Sequence, residues 1–240
     1  MEYGLQLYSV RDVTETDWEN TLKQVAQMGY TYVEPAGFFG HSAEEVKEVL
    51  DRYGLKVSGA HVNWKEIAEN FEETVAFHKT IGNKNLIIPG ADLDTKEKVA
   101  DFLELIHNLQ PRLEQEGMVL QYHNHDFEFK PNKDGQIFYD LLTENTSIPL
   151  EIDTYWVYAA GKDPLALMEQ LKDRVSVIHI KDGNDKGDGY PLGMGTAPVK
   201  EVWAKAKELG MLMVVESETL TPSGLEEAKI CIDFLKQIEG

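Results

Sequence analysis

The chain repeats one local pattern, in which a helix-like stretch ends in glycine and an apolar, strand-like segment follows within a few residues. The repeated glycines are Gly29, Gly54, Gly82, Gly117 and Gly210, and the first four are separated by 25, 28 and 35 residues. A glycine just past a helix end adopts the left-handed conformation at little cost. Each interval has the length of one strand plus one helix, so the pattern predicts a series of strand–helix units.

Eight such units can be assigned from hydrophobic periodicity and from helix start signals such as Ser42 with Glu45 and Asp163 before Pro164. Because no linker separates the units, they favour one α/β domain over residues 1–240, a single (β/α)8 TIM barrel. An open doubly wound sheet is the alternative, but residues 8–12 after the first strand lack its usual glycine-rich phosphate loop. The predicted strands are 3–8, 31–34, 56–61, 85–89, 118–123, 149–153, 175–181 and 212–217, and the predicted helices 16–28, 43–53, 65–81, 95–115, 137–145, 164–172, 198–209 and 222–238.

Composition excludes several classes of protein. The formal net charge of -19 repels nucleic acid and anionic membrane surfaces. No apolar run approaches the roughly 18 residues of a membrane span, and the amino terminus lacks the basic and apolar regions of a signal peptide. The single cysteine, Cys231, cannot form an internal disulfide and fits a reducing compartment. We therefore expect a cytoplasmic protein whose partner is a small molecule.

Polar side chains follow the apolar runs of most predicted strands. In a TIM barrel, functional side chains collect at these carboxyl ends, where the loops that lead to the helices begin. Three of the seven histidines lie at strand ends and a fourth just beyond one. The residues at or just past the strand ends are Gln6, Tyr8, Glu34, His61, His123, His125, Asp153, His179, Lys181, Asp182, Glu216 and Glu218.

Asp153, His179 and Glu216 end three consecutive strands, which is typical of a divalent-metal site. Each has a simpler alternative: Asp153 as a helix cap, His179 as a core histidine and Glu216 as an ion-pair partner of Lys181. His123 is the candidate ligand from the preceding strand, with Gln121 and His125 as competitors. Imidazole and carboxylate ligands suit Zn²⁺, Mn²⁺, Co²⁺ or Fe²⁺ better than Ca²⁺.

Several motifs at these strand ends resemble the xylose isomerase-like TIM barrels, a superfamily of sugar-phosphate isomerases, ketose 3-epimerases, inosose dehydratases and endonuclease IV. The motifs are residues 122–128 (YHNHDFE), 151–156 (EIDTYW) and 177–182 (VIHIKD), with Val215 and Glu216. The resemblance implies one divalent metal, with Mn²⁺, Zn²⁺, Co²⁺ or Mg²⁺ as candidates. It implies that the ligands are His123, Asp153, His179 and Glu216.

Two positions depart from the epimerase branch of this superfamily. His123 stands where that branch has a glutamate, which serves there as both metal ligand and acid/base group. Trp156 stands where the epimerase and endonuclease branches have histidine. The Tyr-His-x-His sequence that begins at Tyr122 looks more like the inosose dehydratase branch. These departures argue against a simple relay between two carboxylates in this chain.

The resemblance and the residue types predict proton abstraction beside a carbonyl, through an enediolate. Glu216 is the preferred base, His123 or His125 the second proton carrier, and Lys181 the group that steadies the oxyanion. The predicted substrate-binding residues are Gln6, Glu34, His61, Trp156 and Glu128. Two loops, 183–198 and 127–136, are candidates to close over a ligand.

We therefore expect a metal-dependent isomerase or epimerase that acts on a small keto sugar or sugar phosphate, as a monomer or a homodimer. An inosose dehydratase-like lyase remains open, because isomerisation, epimerisation and dehydration share one intermediate. A nuclease of the endonuclease IV type is disfavoured by the charge of -19. A non-catalytic sugar-binding barrel with a degenerate metal site is the further alternative.

Overall fold

The computed structural model describes all 240 residues. Nine parallel strands surround a barrel axis in the spatial order β3-β2-β1-β11-β8-β7-β6-β5-β4, and β9 and β10 form a separate antiparallel pair. The strands are Tyr3–Gln6 (β1), Tyr32–Glu34 (β2), Lys56–Val57 (β3), Ala60–His61 (β4), Asn85–Ile88 (β5), Val119–His123 (β6), Leu150–Asp153 (β7), Val177–Ile180 (β8), Asp182–Gly183 (β9), Gly189–Tyr190 (β10) and Leu212–Val215 (β11).

The nine strands occupy eight positions, because β3 and β4 are two parts of the predicted strand 56–61. The His61 amide donates to the Pro35 carbonyl at 2.8 Å just past β2, and the Val62 amide donates to the Ile87 carbonyl of β5 at 2.9 Å. This segment therefore bridges β2 and β5 and brings the ends of the sheet together. Gly59 lies at the interruption, where an added Cβ would come within 2.4 Å of Ile87 Cδ1. The predicted TIM barrel is confirmed, and the open doubly wound sheet is excluded.

Helices surround the sheet, and local sequence explains several of their ends. Ser42 and Glu45 form the predicted capping box at the start of α3. Gly54, which follows α3, has a φ of 67° and is a left-handed helix cap. The α-helices are Arg11–Thr14 (α1), Trp18–Met28 (α2), Ala43–Tyr53 (α3), Trp64–Glu69 (α4), Phe71–Thr80 (α5), Lys96–Gln115 (α6), Phe138–Asn145 (α7), Thr154–Ala159 (α8), Pro164–Gln170 (α9), Val199–Leu209 (α10) and Gly224–Glu239 (α11).

Several predicted boundaries were wrong, and side-chain hydrogen bonds explain two of the differences. The first strand stops at Gln6 rather than residue 8, because the Gln6 side chain accepts from the Tyr8 amide and starts a 3₁₀-helix over Leu7–Val10. The unpredicted helix α8 starts directly after β7, where Asp153 accepts from two backbone amides. The predicted helix 65–81 is divided into α4 and α5 at Asn70.

The core lies between the sheet and the helices as one continuous cluster of buried hydrophobic side chains. Leu5, Ile152 and Ile178 come from the strands, and Leu22 and Ile232 come from the helices. Cys231 is also buried there, as expected of a core thiol, and burial raises its pKa to about 12. None of the helices is both long and apolar enough to cross a bilayer.

Stability should fall in mild acid because of one buried histidine. His78 on α5 is 2% exposed, and burial lowers its pKa to about 4, against about 6.5 in an unfolded chain. Between these values the unfolded chain binds a proton that the folded protein excludes, so this stability is complete above pH 6.5 and is lost as the pH falls to 4. The loss corresponds to about 3 kcal/mol. The His78→Gln variant should lose less unfolding free energy over this range in urea titrations, whereas identical pH profiles would contradict the assignment.

Candidate metal and substrate site

Charged and polar side chains meet at the carboxyl end of the barrel, as the strand ends predict. The parallel register places Asp153 of β7 beside His179 of β8, and Gln6 of β1 beside Glu34 of β2. Glu216 follows β11, two residues beyond the position that pairs with His179. These side chains are buried together, although ionisable groups are rarely buried, and this makes the carboxyl end of the barrel the candidate functional site.

The four predicted metal ligands are brought together. One donor atom from each of His123, Asp153, His179 and Glu216 lies within 4.8 Å of the donor atoms of the other three. Two of the buried donor atoms, His123 Nδ1 and Asp153 Oδ2, have no hydrogen-bond partner. Buried polar atoms are rarely left unpaired, and a cation bound among these residues would satisfy Asp153 Oδ2. These residues therefore fit a divalent cation, with two imidazoles and two carboxylates as its ligands.

Asp153 has the capping role considered from the sequence and keeps one oxygen that could take the other role. Its Oδ1 accepts from the amides of Tyr155 at 2.9 Å and Trp156 at 3.0 Å, and so caps α8. Its Oδ2 remains free and lies 4.0 Å from both His179 Nδ1 and Lys181 Nζ. Asn124 holds the Asp153 backbone in place from β6, through bonds in both directions. One carboxylate oxygen is thus structural, and the other is available to a ligand.

His179 is held by a hydrogen bond on the side of its ring away from Asp153. Its Nε2 lies 2.8 Å from Glu34 Oε1, and Gln6 Nε2 donates to the same oxygen at 2.8 Å. A proton on Nε2 leaves Nδ1 free to bind a cation, an arrangement common around metal-bound histidines. Gln6 and Glu34 are fully buried, and neither lines the pocket described below. The structure thus places them behind His179, in contrast to the substrate-binding roles predicted for them.

Replacing Glu34 by glutamine should weaken cation binding about 10- to 100-fold, because His179 loses its charged hydrogen-bond acceptor. The change preserves side-chain size, so the barrel should still fold. Competition with a coloured chelator would measure the affinity, and circular dichroism would check the fold. An unchanged affinity would show that Glu34 does not orient His179.

Glu151 is a buried residue of this site that the sequence-based predictions did not select. Its Oε2 lies 3.0 Å from His61 Nε2, 3.3 Å from His123 Nδ1 and 3.2 Å from His179 Nε2. Together with these three histidines it forms a second group of close donor atoms, in which His61 Nε2 pairs with Glu151 Oε2 and His179 Nε2 is already hydrogen-bonded to Glu34 outside the group. The sequence did contain a signal for Glu151, because it is a charged residue in the middle of the otherwise apolar start of the buried strand Leu150–Asp153.

The buried carboxylates have strongly shifted pKa values. Burial and the nearby charge of Glu34 raise the pKa of Glu151 well above its ordinary value. Burial alone would also raise the pKa of Glu34, but the charge and hydrogen bond of His179 outweigh this effect and lower the pKa to about 2. Burial raises the pKa of Asp153 to about 7, although Lys181 opposes the shift. A cation would remove much of this cost, because it would compensate the charge of ionised Asp153.

Lys181 completes the cluster as a buried cation. Its Nζ lies 2.7 Å from Glu218 Oε2 and 3.3 Å from Glu216 Oε2, and 4.6 Å from the ring centre of Trp156. Burial disfavours the charged lysine, but Glu216 and the other carboxylates raise its pKa above the ordinary value. Burial alone would raise the pKa of Glu216, but Lys181 and His179 hold it well below the usual range. Glu216 is therefore ionised.

An open pocket of about 440 Å³ lies above the cluster. A volume of this size is typical of small-molecule sites. The imidazole of His125 reaches it, and His125 Nδ1 has no hydrogen-bond partner. Trp156 does not line this pocket, and its nearest aromatic contact there is His125, with ring centres 5.9 Å apart. The wall includes Tyr8, His61, His123, His125, Glu216 and Glu218.

Glu128 does not line this pocket, in contrast to its predicted substrate-binding role. It is fully buried, accepts from the Tyr122 hydroxyl at 2.8 Å and accepts from the His125 amide at 2.8 Å. Burial raises its pKa to about 7. The structure thus places Glu128 beneath the turn that carries His125, where it holds the backbone.

Asp182 and the glycine-rich loop after β8 also differ from the sequence-based interpretation. The Asp182 carboxylate accepts from the amides of Gly183, Gly193, Gly195 and Ala197, and so ties the predicted lid 183–198 to the barrel. It belongs to neither group of potential metal ligands. The second predicted lid is also anchored, because Lys133 pairs with Asp94 and Asn132 donates to the Leu93 carbonyl.

Comparisons with known proteins agree with this architecture. A sequence model of the xylose isomerase-like TIM barrel family matches residues 22–238. An inosose dehydratase from Lacticaseibacillus casei is 23% identical, over 85% of this chain and 83% of its own. A sugar phosphate isomerase/epimerase from Parabacteroides distasonis is 26% identical, with a TM-score of 0.85 over 98% of both chains. The zinc-bound IOLI protein superposes with a TM-score of 0.75 at 16% identity, over 99% of this chain and 98% of its own, which shows a shared fold.

Proposed function

Since the chain belongs to the xylose isomerase-like TIM barrel family, we propose that it is a metal-dependent sugar isomerase or epimerase. The proposed substrate is a small keto sugar or sugar phosphate, and the proposed reaction starts with proton abstraction beside the carbonyl. The observation that carries this proposal is the group of four close donor atoms beneath a pocket with an unpartnered imidazole. The names of the similar sugar isomerase/epimerase and inosose dehydratase are consistent with it.

The proposed cation ligands are His123, Asp153, His179 and Glu216. A divalent cation bound there would polarise the substrate carbonyl and make the adjacent C–H bond more acidic. The remaining pocket residues would orient the sugar and transfer its proton. The geometry of the barrel supports this division of roles. The four proposed ligand residues are buried at its carboxyl end, and the pocket opens above them.

We assign the main proton transfer to His125 rather than to Glu216, the base preferred from the sequence. A good general base has a pKa near the working pH. Lys181 and His179 keep the pKa of Glu216 too low for that task and suit it to cation binding. The imidazole of His125 lines the pocket and its buried Nδ1 has no hydrogen-bond partner, and burial lowers its pKa, so its ring is neutral and able to accept a proton.

Lys181 is 1% exposed and lies behind the part of the pocket wall formed by Glu216 and Glu218, so we assign it to supplying positive charge near the substrate oxygen that becomes negative as the proton leaves. It is cationic, buried and held among Glu216, Glu218 and the ring of Trp156. Positive charge held in a water-poor site stabilises a developing oxyanion strongly. Trp156 and Glu218 therefore act by positioning Lys181.

Dehydration is the second candidate reaction, favoured by the similarity to inosose dehydratase at 23% identity. It shares the first step, and the intermediate then loses a hydroxyl group from the neighbouring carbon. An isomerase or epimerase yields a product of unchanged mass, whereas a dehydratase yields one that is lighter by one water. Mass spectrometry of the products therefore separates the two reactions.

Solvent exchange tests the proposal directly. The metal-loaded protein should exchange the proton beside the carbonyl of at least one sugar among fructose, tagatose, psicose and scyllo-inosose in heavy water, as seen by proton NMR. Removal of the metal with a chelator should stop the exchange, and adding the divalent metal back should restore it. Stoichiometric sugar binding without exchange would support the non-catalytic barrel, and exchange insensitive to chelation would exclude the role of the metal.

A further inference from the structure

A second cavity continues from the pocket and has no role in the proposed chemistry. It is a groove of about 640 Å³ between the loop after β2 and the helices α4 and α5. Cavities of this size are typical of small-molecule sites, so the groove is large enough to hold a ligand of its own. The residues that line both the groove and the pocket are Gly37, His61, Asn63 and Glu66, so the two cavities form one continuous depression.

Aromatic rings form one wall of the groove. Phe38 packs on Phe77 with ring centres 4.5 Å apart, and Phe39, the next residue of the loop, lies with its ring centre 6.3 Å from that of Trp18. Phe39 is 42% exposed and has a φ of 52°, in the left-handed region that bulky residues rarely adopt. Such strain is often found at ligand-binding sites, where the surrounding structure holds it. The loop therefore presents an apolar ring to the groove at a conformational cost.

Hydrogen-bond acceptors form the other wall. Glu66, Glu69 and Glu73 from α4 and α5 line it, together with Asn63 and Asn70, and all five side chains are exposed. Carboxylates accept hydrogen bonds only, and amides both accept and donate. No lysine or arginine lines the groove or the pocket. A ligand rich in hydroxyl groups matches these walls, whereas a phosphate group would meet uncompensated negative charge.

We infer that the substrate is larger than one sugar ring, with a second, uncharged sugar unit bound in this groove. The reacting keto sugar would occupy the pocket above the metal ligands, and the second unit would lie between Phe39 and the carboxylates. The C–H face of a sugar ring packs on an aromatic ring, and its hydroxyl groups donate to acidic side chains. This inference rests on the proposed function for the location of the reacting unit, and it selects unphosphorylated, glycoside-sized substrates.

Calorimetry on the metal-loaded protein tests the inference with commercial sugars. The probes are fructose and tagatose as single units, lactulose, isomaltulose and turanose as two-unit ketoses, and fructose 6-phosphate. At least one two-unit ketose should bind at least about tenfold more tightly than fructose, which corresponds to one aromatic contact. Fructose 6-phosphate should bind more weakly than fructose. Tighter binding of fructose 6-phosphate, or no advantage for any two-unit ketose, would overturn the inference.

Matched variants locate the effect. Phe39→Ala and Glu69→Gln should each reduce the preference for the two-unit ketose over fructose by up to about tenfold, so that the two sugars bind with more nearly equal affinity. Tyr190→Ala and Glu72→Gln are the controls, since these exposed residues line neither cavity and should leave the preference unchanged. A preference that survives both groove variants would place the second unit elsewhere and contradict the inference.

Exchange measured with the same sugars separates this inference from the proposed function. Groove-dependent binding without solvent exchange would retain the groove and remove the isomerase proposal. Exchange of single sugars with no preference for two-unit ketoses would retain the chemistry and remove the groove. Binding of none of the probes would remove the groove, and lack of exchange with all four sugars named under the proposed function would remove the chemistry.

Discussion

The Asp153→Asn variant is expected to lose at least about 100-fold in affinity for its divalent cation, and with it nearly all solvent exchange. Asparagine retains an oxygen for the amides of Tyr155 and Trp156, so the cap of α8 should survive. What disappears is the negative charge on the free Oδ2. Changes to residues that only orient a ligand cost 10- to 100-fold in metal affinity, and loss of a charged ligand should cost at least as much.

Asp163 supplies a matched control for this variant. It caps α9 through the same pattern, with Oδ1 accepting from the amides of Leu165 and Ala166. It lies in neither group of close donor atoms. Asp163→Asn should therefore keep full metal content and exchange, as measured by elemental analysis and proton NMR. Equal losses in the two variants would attribute the effect to helix capping and contradict the ligand role of Asp153.

The His125→Gln variant is expected to slow solvent exchange by about 10²- to 10⁴-fold while metal content stays complete. This range is typical for the loss of a general acid or base. His125 is on the pocket wall but is outside both groups of potential cation ligands, so its loss should not release the metal. Glu216→Gln should instead lower the metal content, because we assign Glu216 to cation binding.

His107→Gln is the control for a histidine far from the pocket. His107 lies on α6, where Nε2 contacts the Asn145 carbonyl at 2.9 Å, and glutamine can donate to the same oxygen. The solvent-exchange rate of the His107→Gln variant should equal that of the unchanged protein. If His125→Gln also keeps the full rate while Glu216→Gln abolishes it with the metal still bound, Glu216 is the base, as the sequence-based interpretation preferred.

The sequence was sufficient to predict the barrel, because its evidence is local. Each helix–glycine–strand junction, such as Gly54 before Lys56, marks one unit through backbone geometry. Parallel strands then place the residues at their carboxyl ends side by side, so the proximity of Asp153 and His179 follows from strand order alone. The same reasoning brought His123 and Glu216 to the site, although their binding of a metal remains a prediction.

The roles of individual polar residues could not be predicted, because they depend on which side chains meet across the barrel. Glu34 contacts His179, which is 145 residues away in the sequence, and this contact makes it a buried orienting group. Glu128 instead turns back to Tyr122 and His125, only six and three residues before it, because the short 3₁₀ turn that carries it folds under the end of β6. Glu151 was underestimated because its partners come from three other strands. Strand alternation gives the direction of a side chain but not its partner.

Anomalous diffraction from a crystal soaked in Mn²⁺ or Zn²⁺ would test the central claim most directly. The account predicts one strong peak among an imidazole nitrogen of His123, Asp153 Oδ2, His179 Nδ1 and the Glu216 carboxylate, with bond lengths near 2.0–2.3 Å. A map without a peak at this position under saturating metal, or with metal bound only at surface carboxylates, would contradict the account.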